Sequence, residues 1–509
     1  MKGISMHRSG ADCAGWRTSL LAVAAASLLL TAGCLHPVGP AYKAPVPPVP
    51  DAWSSGIAEG QDKANPNLEE WWKTLNDPVL EDVIQRARTS NLTVKQTLSV
   101  VREARFRRGV VAIGLQPNVD LSTSYARTKP SPNMPPYAFI QPSDLRQTNG
   151  VNIYQFGFDM AWEIDIFGGV RRQVEAADAG LDATVENYRD VLVTLLGDVG
   201  ATYVDIRTLQ QRIAYAETNV RTQRETLDIV RARYEAGLVG QLDVEQAESN
   251  LAYTESTLPP LRQGLAAAHN QMAVLLGQSP NSLPAELSKP SPLPAPPPQL
   301  GVGLPANLLR QRPDVRRAER NLASQVAGIG VATADLYPHL GLGGNLSWET
   351  VDFENPGKSL TYTVGPFFKW NVFNRRRIKN NIHGQEEVAE QALLGYQQSV
   401  LLALAEVEST MVAYREERER YVGLTRAVGA TVKATDLVKT LYTSGLIDFQ
   451  NVLDTERFLA TQQDQLASSE GQVLKDLIAL YKGLGGGWSP QEAIPDGPGT
   501  KSSLSYKKR

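Results

Sequence analysis

The chain has 509 residues, 42% of them apolar, with 51 Lys and Arg set against 54 Asp and Glu. That near balance argues against a nucleic-acid surface as the main business, and the apolar content supports an ordered core. Two cysteines (Cys13, Cys34) and histidines that never fall at ligand spacing exclude a disulfide framework and a cysteine- or histidine-built metal site, so neither metal nor cofactor is expected.

In chain order, Lys2, Arg8 and Arg17 come first, then the apolar run Leu20–Ala32, then Gly33 and Cys34. Basic residues, a short apolar stretch and small residues at a cut describe a secretory signal over residues 1–33. The run is too short to span a bilayer, and no apolar run of about 18 residues follows it. A cysteine in this place resembles the acceptor of a bacterial lipoprotein, which makes Cys34 the expected lipidation site. Leu35, where an inner-membrane lipoprotein would carry Asp, implies outer-membrane sorting. Residues 34–64 open with the proline-rich stretch His36–Trp53 and read as a lipid-anchored, extended tether.

The rest of the chain repeats itself. Leu115-Gln116-Pro117 aligns with Leu336-Tyr337-Pro338, Tyr234 to Val239 with Tyr442 to Ile447, and Leu276-Gly277 with Leu484-Gly485. The shift is 221 residues at the prolines and 208 at the glycines, because the loop near Thr128–Gly150 is longer than its partner near Thr350–Ser359. The first repeat, 65–277, is read as a helix, a β-hairpin over 115–163 and a long helical hairpin over 168–277. A proline-rich linker follows at 278–303, with eight prolines between Gln278 and Leu300. The second repeat, 304–485, has the same order, with a β-hairpin over 336–373 and a helical hairpin over 375–485; residues 486–509 form a tail.

Each hairpin strand alternates with period two. Val119, Leu121, Thr123 and Tyr125 form one apolar row, and Tyr154, Phe156, Phe158, Met160 and Trp162 the next. Leu340, Leu342, Leu346 and Trp348 form the third; Leu360, Tyr362, Val364, Phe368 and Trp370 the fourth, with Phe367 intruding on the polar side. Strands of about ten residues with aromatic ends suit a tilted membrane strand. A soluble antiparallel sheet with one buried face is the alternative. Four strands cannot close a barrel, since the smallest membrane barrels have about eight. An open edge in lipid would leave backbone groups unpaired, so several chains must share one barrel.

The helices follow a period near 3.5. One seam runs from Val174 through Leu192, Val199, Ile206, Val220 and Val230 to Tyr234; another runs from Leu393 through Val400, Val407 and Tyr414 to Tyr442. About 65 residues of helix span roughly 100 Å, longer than any globular core. Gly237 and Gly445 end the two runs at equivalent points. The fold class expected from these patterns is an α+β membrane protein: long helical hairpins lie side by side in an elongated bundle or cylinder, and four strands per chain join a barrel shared between chains, eight strands from two copies or twelve from three.

Several segments together resemble the TolC-type outer-membrane efflux proteins, in the lipoprotein branch that serves RND multidrug pumps. They are Val38–Trp53, Trp71–Ala87, the strand-to-helix junction Trp162–Arg172, and most specifically Gly303–Arg320. The second junction, Trp370–Asn380, departs from the usual glycine pair. The resemblance implies a homotrimer whose four strands per chain form one shared trimeric β-barrel and whose helical hairpins form a periplasmic α-barrel, together a passive exit duct in the bacterial outer membrane that extends into the periplasm. Its implied partners are a periplasmic adaptor, an inner-membrane RND pump and outer-membrane lipid, with no nucleic acid and no catalysis. Adaptor contact is implied at Gly237, Leu238, Val239, Gly445, Leu446 and Ile447. A periplasmic aperture is implied at Asp454 with Asn451 beside it, and Asp243 and Tyr442 match positions that tie neighbouring hairpins; the usual arginine partner is replaced by Ile447. Ordinary turn packing and a solvated helix-face acid are the plainer readings of the tips and of Asp454. A coiled-coil periplasmic spacer is the main alternative for the whole chain, though it would not need four alternating strands. A periplasmic enzyme finds no nucleophile elbow, phosphate loop or acid pair to support it.

Overall fold

The computed structural model describes residues 36–54, 68–129, 150–280, 285–297, 311–350 and 359–491, together with Ser282 and Ile494. The signal segment, Cys34, and parts of the linker and tail lie outside them. Two compact units are present. They do not follow the sequence repeats: one joins Met1–Ala44, Ala104–Leu181 and Arg320–Leu394, and the other joins Pro45–Glu103, Asp182–Glu319 and Gly395–Arg509.

The first unit holds one four-stranded antiparallel sheet in the order β1-β2-β3-β4. The strands are β1 (Asn118–Thr128), β2 (Val151–Ile164), β3 (His339–Thr350) and β4 (Leu360–Lys369). Register fixes the two faces. Leu121 pairs with Phe158, which pairs with Leu346, which pairs with Tyr362, so an apolar row crosses all four strands. That face is open: Leu121, Phe158, Leu346 and Tyr362 are 60%, 46%, 47% and 74% exposed. The opposite face carries a polar ladder, with Ser122 donating to Asp159, Asn345 donating to the same carboxylate and Ser347 donating to Asn345. Along β1 and β4 both faces are open, and an apolar face left uncovered is the opposite of what a soluble sheet does with it. Phe367 sits on the polar face opposite Gly341, where any added Cβ would meet its ring.

Both hairpins are closed by the same device. Trp162 Nε1 donates to the Leu115 carbonyl at 3.2 Å, and Trp370 Nε1 donates to the Leu336 carbonyl at 3.1 Å.

Seven helices frame the described residues besides two short turns of helix: α1 (Pro78–Ser90), α2 (Leu92–Ile113), α3 (Gly169–Glu235), α4 (Gln241–Leu275), α5 (Pro313–Ala334), α6 (Arg375–Thr443) and α7 (Phe449–Gly483). None is long and apolar enough to cross a membrane. The second unit's main core gathers Trp71, Trp72, Leu80 and Ile84 with Leu196, Tyr203 and Ile206 of α3 and with Leu474, Leu477 and Ile478 of α7. Trp71 stacks on Tyr481 with ring centres 5.6 Å apart. Much of the α3 seam is buried here, but its last member, Tyr234, is 44% exposed.

Residues 36–54 lack regular structure, as a proline-rich segment should, but they are not a loose tether. Trp53 is 5% exposed within the main core, and the Ser54 amide donates to Glu408. A large aromatic at the end of the run holds it down by burial, which proline content alone does not reveal.

Candidate functional site

The hairpin turns come first, since every expected contact residue lies on or beside them. Gly237 and Gly445 have φ of +69° and +73°, a backbone region costly for any residue with a Cβ. Each closes a Schellman turn: Leu238 donates to the Arg233 carbonyl and Leu446 to the Leu441 carbonyl, both at 2.9 Å. The apolar pair after each glycine divides its labour. Leu238 and Leu446 are 67% and 71% exposed, while Val239 and Ile447 pack against a second buried cluster around Val230, Leu251 and Val452.

Tyr442 lies inside that cluster at 4% exposure, with its ring tilted against Phe449. The guanidinium of Arg233, near the end of α3, stands over the Tyr442 ring at 4.7 Å and donates to the carbonyls of Tyr442 and Thr443 at 2.8 and 3.1 Å. An arginine thus ties the two hairpins here, contributed by α3 rather than by position 447. Burial raises the Tyr442 phenol above its usual range, the Asp243 charge adds to this, and Arg233 opposes it. Asp243, in the first turn of α4, is itself raised, first by burial and then by Asp448 at the start of α7.

A second tie lies two turns away. Glu456 of α7 is 5% exposed; it accepts from Thr226 of α3 at 2.7 Å and pairs with Lys439 of α6 at 3.0 Å. Farther along, Arg212 grips Asp464 through two nitrogens at 2.7 and 3.0 Å, and Asn219 donates to Gln463. The α3–α7 contact therefore contains several polar side-chain ties. Pairs of that kind can be exchanged for water without opening an apolar core.

Asp454 and Asn451 are not part of these ties. Both are exposed on α7, one turn apart, while Val452, Leu453 and Glu456 point into the bundle. Asp454 accepts from Gln450 at 2.8 Å. The constellation divides into a buried tie (Tyr442, Arg233 and Glu456, with Asp243 at its margin) and an exposed polar pair. Arg233 and Glu456 were missed from sequence. A signal for Glu456 existed: an acid at three- and four-residue spacing from Leu453 and Val452 sits on the buried stripe.

The strand-to-helix junction of the first repeat is equally specific. Arg171 closes the turn by bonding the Asp165 carboxylate and the carbonyls of Asp165 and Ile166. Arg172, 5% exposed, reaches the carbonyls of Pro37, Val38 and Gly39, and the Val38 amide donates to Phe167 at 3.0 Å. Gly168, at φ +80°, leaves no room for a Cβ against Pro37.

Among the described residues, no group of three or more His, Cys, Asp or Glu could hold a metal ion.

The outer membrane efflux protein family matches residues 83–278 and 304–486. Nodulation protein T of Rhizobium leguminosarum bv. trifolii is 29% identical over 91% of this chain and 96% of its own. The pyoverdine export outer membrane protein OpmQ of Pseudomonas putida is 30% identical over 89% of this chain and 97% of its own. The solved structure of the outer-membrane channel OprN superposes with a TM-score of 0.81 at 32% identity, covering 89% of this chain and 99% of that one.

Proposed function

The chain belongs to the outer membrane efflux protein family, and on that premise we propose that three copies close one barrel and one periplasmic tunnel, to which a periplasmic adaptor and an inner-membrane RND-type pump connect. Its function is that of a passive outer-membrane exit duct for drugs or other small molecules. The observation that carries the trimer is the sheet. Its apolar face is exposed, β1 and β4 each pair on one side only, and three such sheets would supply twelve strands with no open edge. Of the relatives named above, OpmQ is an export outer membrane protein and OprN an outer-membrane channel, which supports a duct in place of a catalyst.

Lipidation of Cys34 completes the anchoring. Arg172 and Phe167 hold residues 37–39 beside the end of β2, and the three residues back to Cys34 reach about 10 Å. An acyl chain there would enter the leaflet next to the sheet.

The exposed Leu238 and Leu446 are the adaptor contacts, small apolar points on otherwise polar tips. Docking moves the α6–α7 hairpin away from α3, against the Arg233–Tyr442 and Thr226–Glu456 ties. Three copies of Asp454, with Asn451 beside them, line the aperture and favour cations. Single-channel conductance in planar bilayers tests the gate: replacing Tyr442, Arg233 or Asp454 by alanine should raise it. Unchanged conductance in all three would remove these residues from the gate.

A further inference from the structure

The internal repeat supplies a control at the two places where a strand becomes a long helix. At the first junction both arginines are occupied within the chain, Arg171 by Asp165 and Arg172 by three carbonyls and Glu175. At the second junction, one repeat later, the residues are Trp370-Asn371-Val372-Phe373-Asn374-Arg375-Arg376-Arg377-Ile378-Lys379. Arg375, Arg376, Arg377 and Lys379 are all exposed, and none has an acidic partner among the described residues. No Asp or Glu occurs between residues 359 and 385. The first turn of α6 contains no acid either, so three guanidinium groups crowd a helix start whose dipole already repels cations. The helix alone gives no reason for them.

Their surroundings do. Phe368 lies on the sheet's open apolar face and is 60% exposed; just past the strand end, Trp370 and Val372 are 49% and 52% exposed and Phe373 is fully exposed. An apolar face that ends in Trp and Phe and is followed at once by unpaired arginines reproduces the order of a leaflet: acyl chains, then the interfacial belt, then phosphate. Guanidinium binds phosphate through paired donors and is readily desolvated beside aromatic rings.

We propose that Trp370, Phe373 and Arg375–Arg377 form a binding surface for the phosphate headgroup of an anionic phospholipid in the periplasm-facing leaflet. The inference rests on the reading that the sheet spans the outer membrane. Lipid held here would sit where the strands turn into α6, and the first repeat has no counterpart to it.

The test uses the full-length protein, reconstituted in vesicles of phosphatidylcholine alone or with phosphatidylglycerol. It is then extracted gently and its retained lipids are counted by native mass spectrometry. The wild type should retain phosphatidylglycerol preferentially, and the preference should fall about fivefold for each arginine replaced in R375Q, R376Q and R377Q. It should weaken with salt, since these groups are exposed. Phe373→Ala should reduce retention of both lipids. Arg415→Gln, an exposed cation elsewhere on α6, should change nothing. Equal retention of the two lipids by the wild type would overturn the proposal. So would a triple glutamine variant whose assembly falls apart in lipid-free detergent while the wild type persists, because the arginines would then serve a sister subunit. Failure of the wild type to enter vesicles at all would refute the membrane reading itself, a result distinct from either.

Discussion

The two repeats share a scaffold and differ in what they bury. The tryptophan clamps, the Schellman turns at Gly237 and Gly445, and those at Gly277 and Gly485 recur at equivalent positions. So does an ion pair: Arg231–Glu248 in the first repeat corresponds to Lys439–Glu456 in the second. In the first repeat its side chains are 49% and 58% exposed; in the second they are 29% and 4%. Tyr234 and Tyr442 likewise occupy one position, at 44% and 4% exposure. What recurs belongs to the fold. What recurs in sequence but is buried once marks where one hairpin leans on the other, the place at which the proposed gate acts.

Paired substitutions sharpen this contrast. The largest effect is expected at the tyrosines: Tyr442→Ala should cost about 3 kcal/mol of tip stability and raise conductance, while Tyr234→Ala should leave both near wild type. Hydrogen exchange of the Leu446 amide reads the first quantity. Tyr442→Phe should behave like wild type, because the phenol oxygen is buried with no hydrogen-bond partner among the described residues. Next come the acids. Glu456→Ala should cost about 2 kcal/mol, since it strands Lys439 and Thr226, whereas Glu248→Ala should cost less than about 1 kcal/mol. Equal losses in denaturant titration would break the comparison.

A more local effect is expected at the junctions. Arg172→Ala should free residues 37–39 to protease while leaving the sheet intact, and Asn380→Ala, at the equivalent position, should do nothing. The smallest effect is at Asp243. Its folded-state pKa is raised, by burial first and then by Asp448, so its ionisation opposes the folded tip. Tip stability should therefore fall as pH rises from the ordinary carboxylate value through the raised one. Asp243→Asn should flatten that dependence, as read by exchange rates between pH 4 and 7.

The strands were legible because period two reports a face directly, whatever that face meets. Leu121, Phe158 and Tyr362 fall on one side by counting alone. The glycine turns were legible for a similar reason, since positive φ is a local demand. The ties were not. Whether Glu456 is buried depends on how α7 leans on α3, a packing choice that no local period encodes. Arg233 was hidden because its partner carbonyls belong to a hairpin some two hundred residues later. The proline-rich segment misled in the opposite sense: its composition announces an extended chain but not that Trp53 docks it in the core.

The central claim is that an open four-stranded sheet is completed by sister subunits. Electron microscopy of the detergent-extracted protein tests it most directly. Particles with three-fold symmetry and a closed ring of strands are expected. A monodisperse single chain, folded and stable in salt buffer without detergent, would contradict the account.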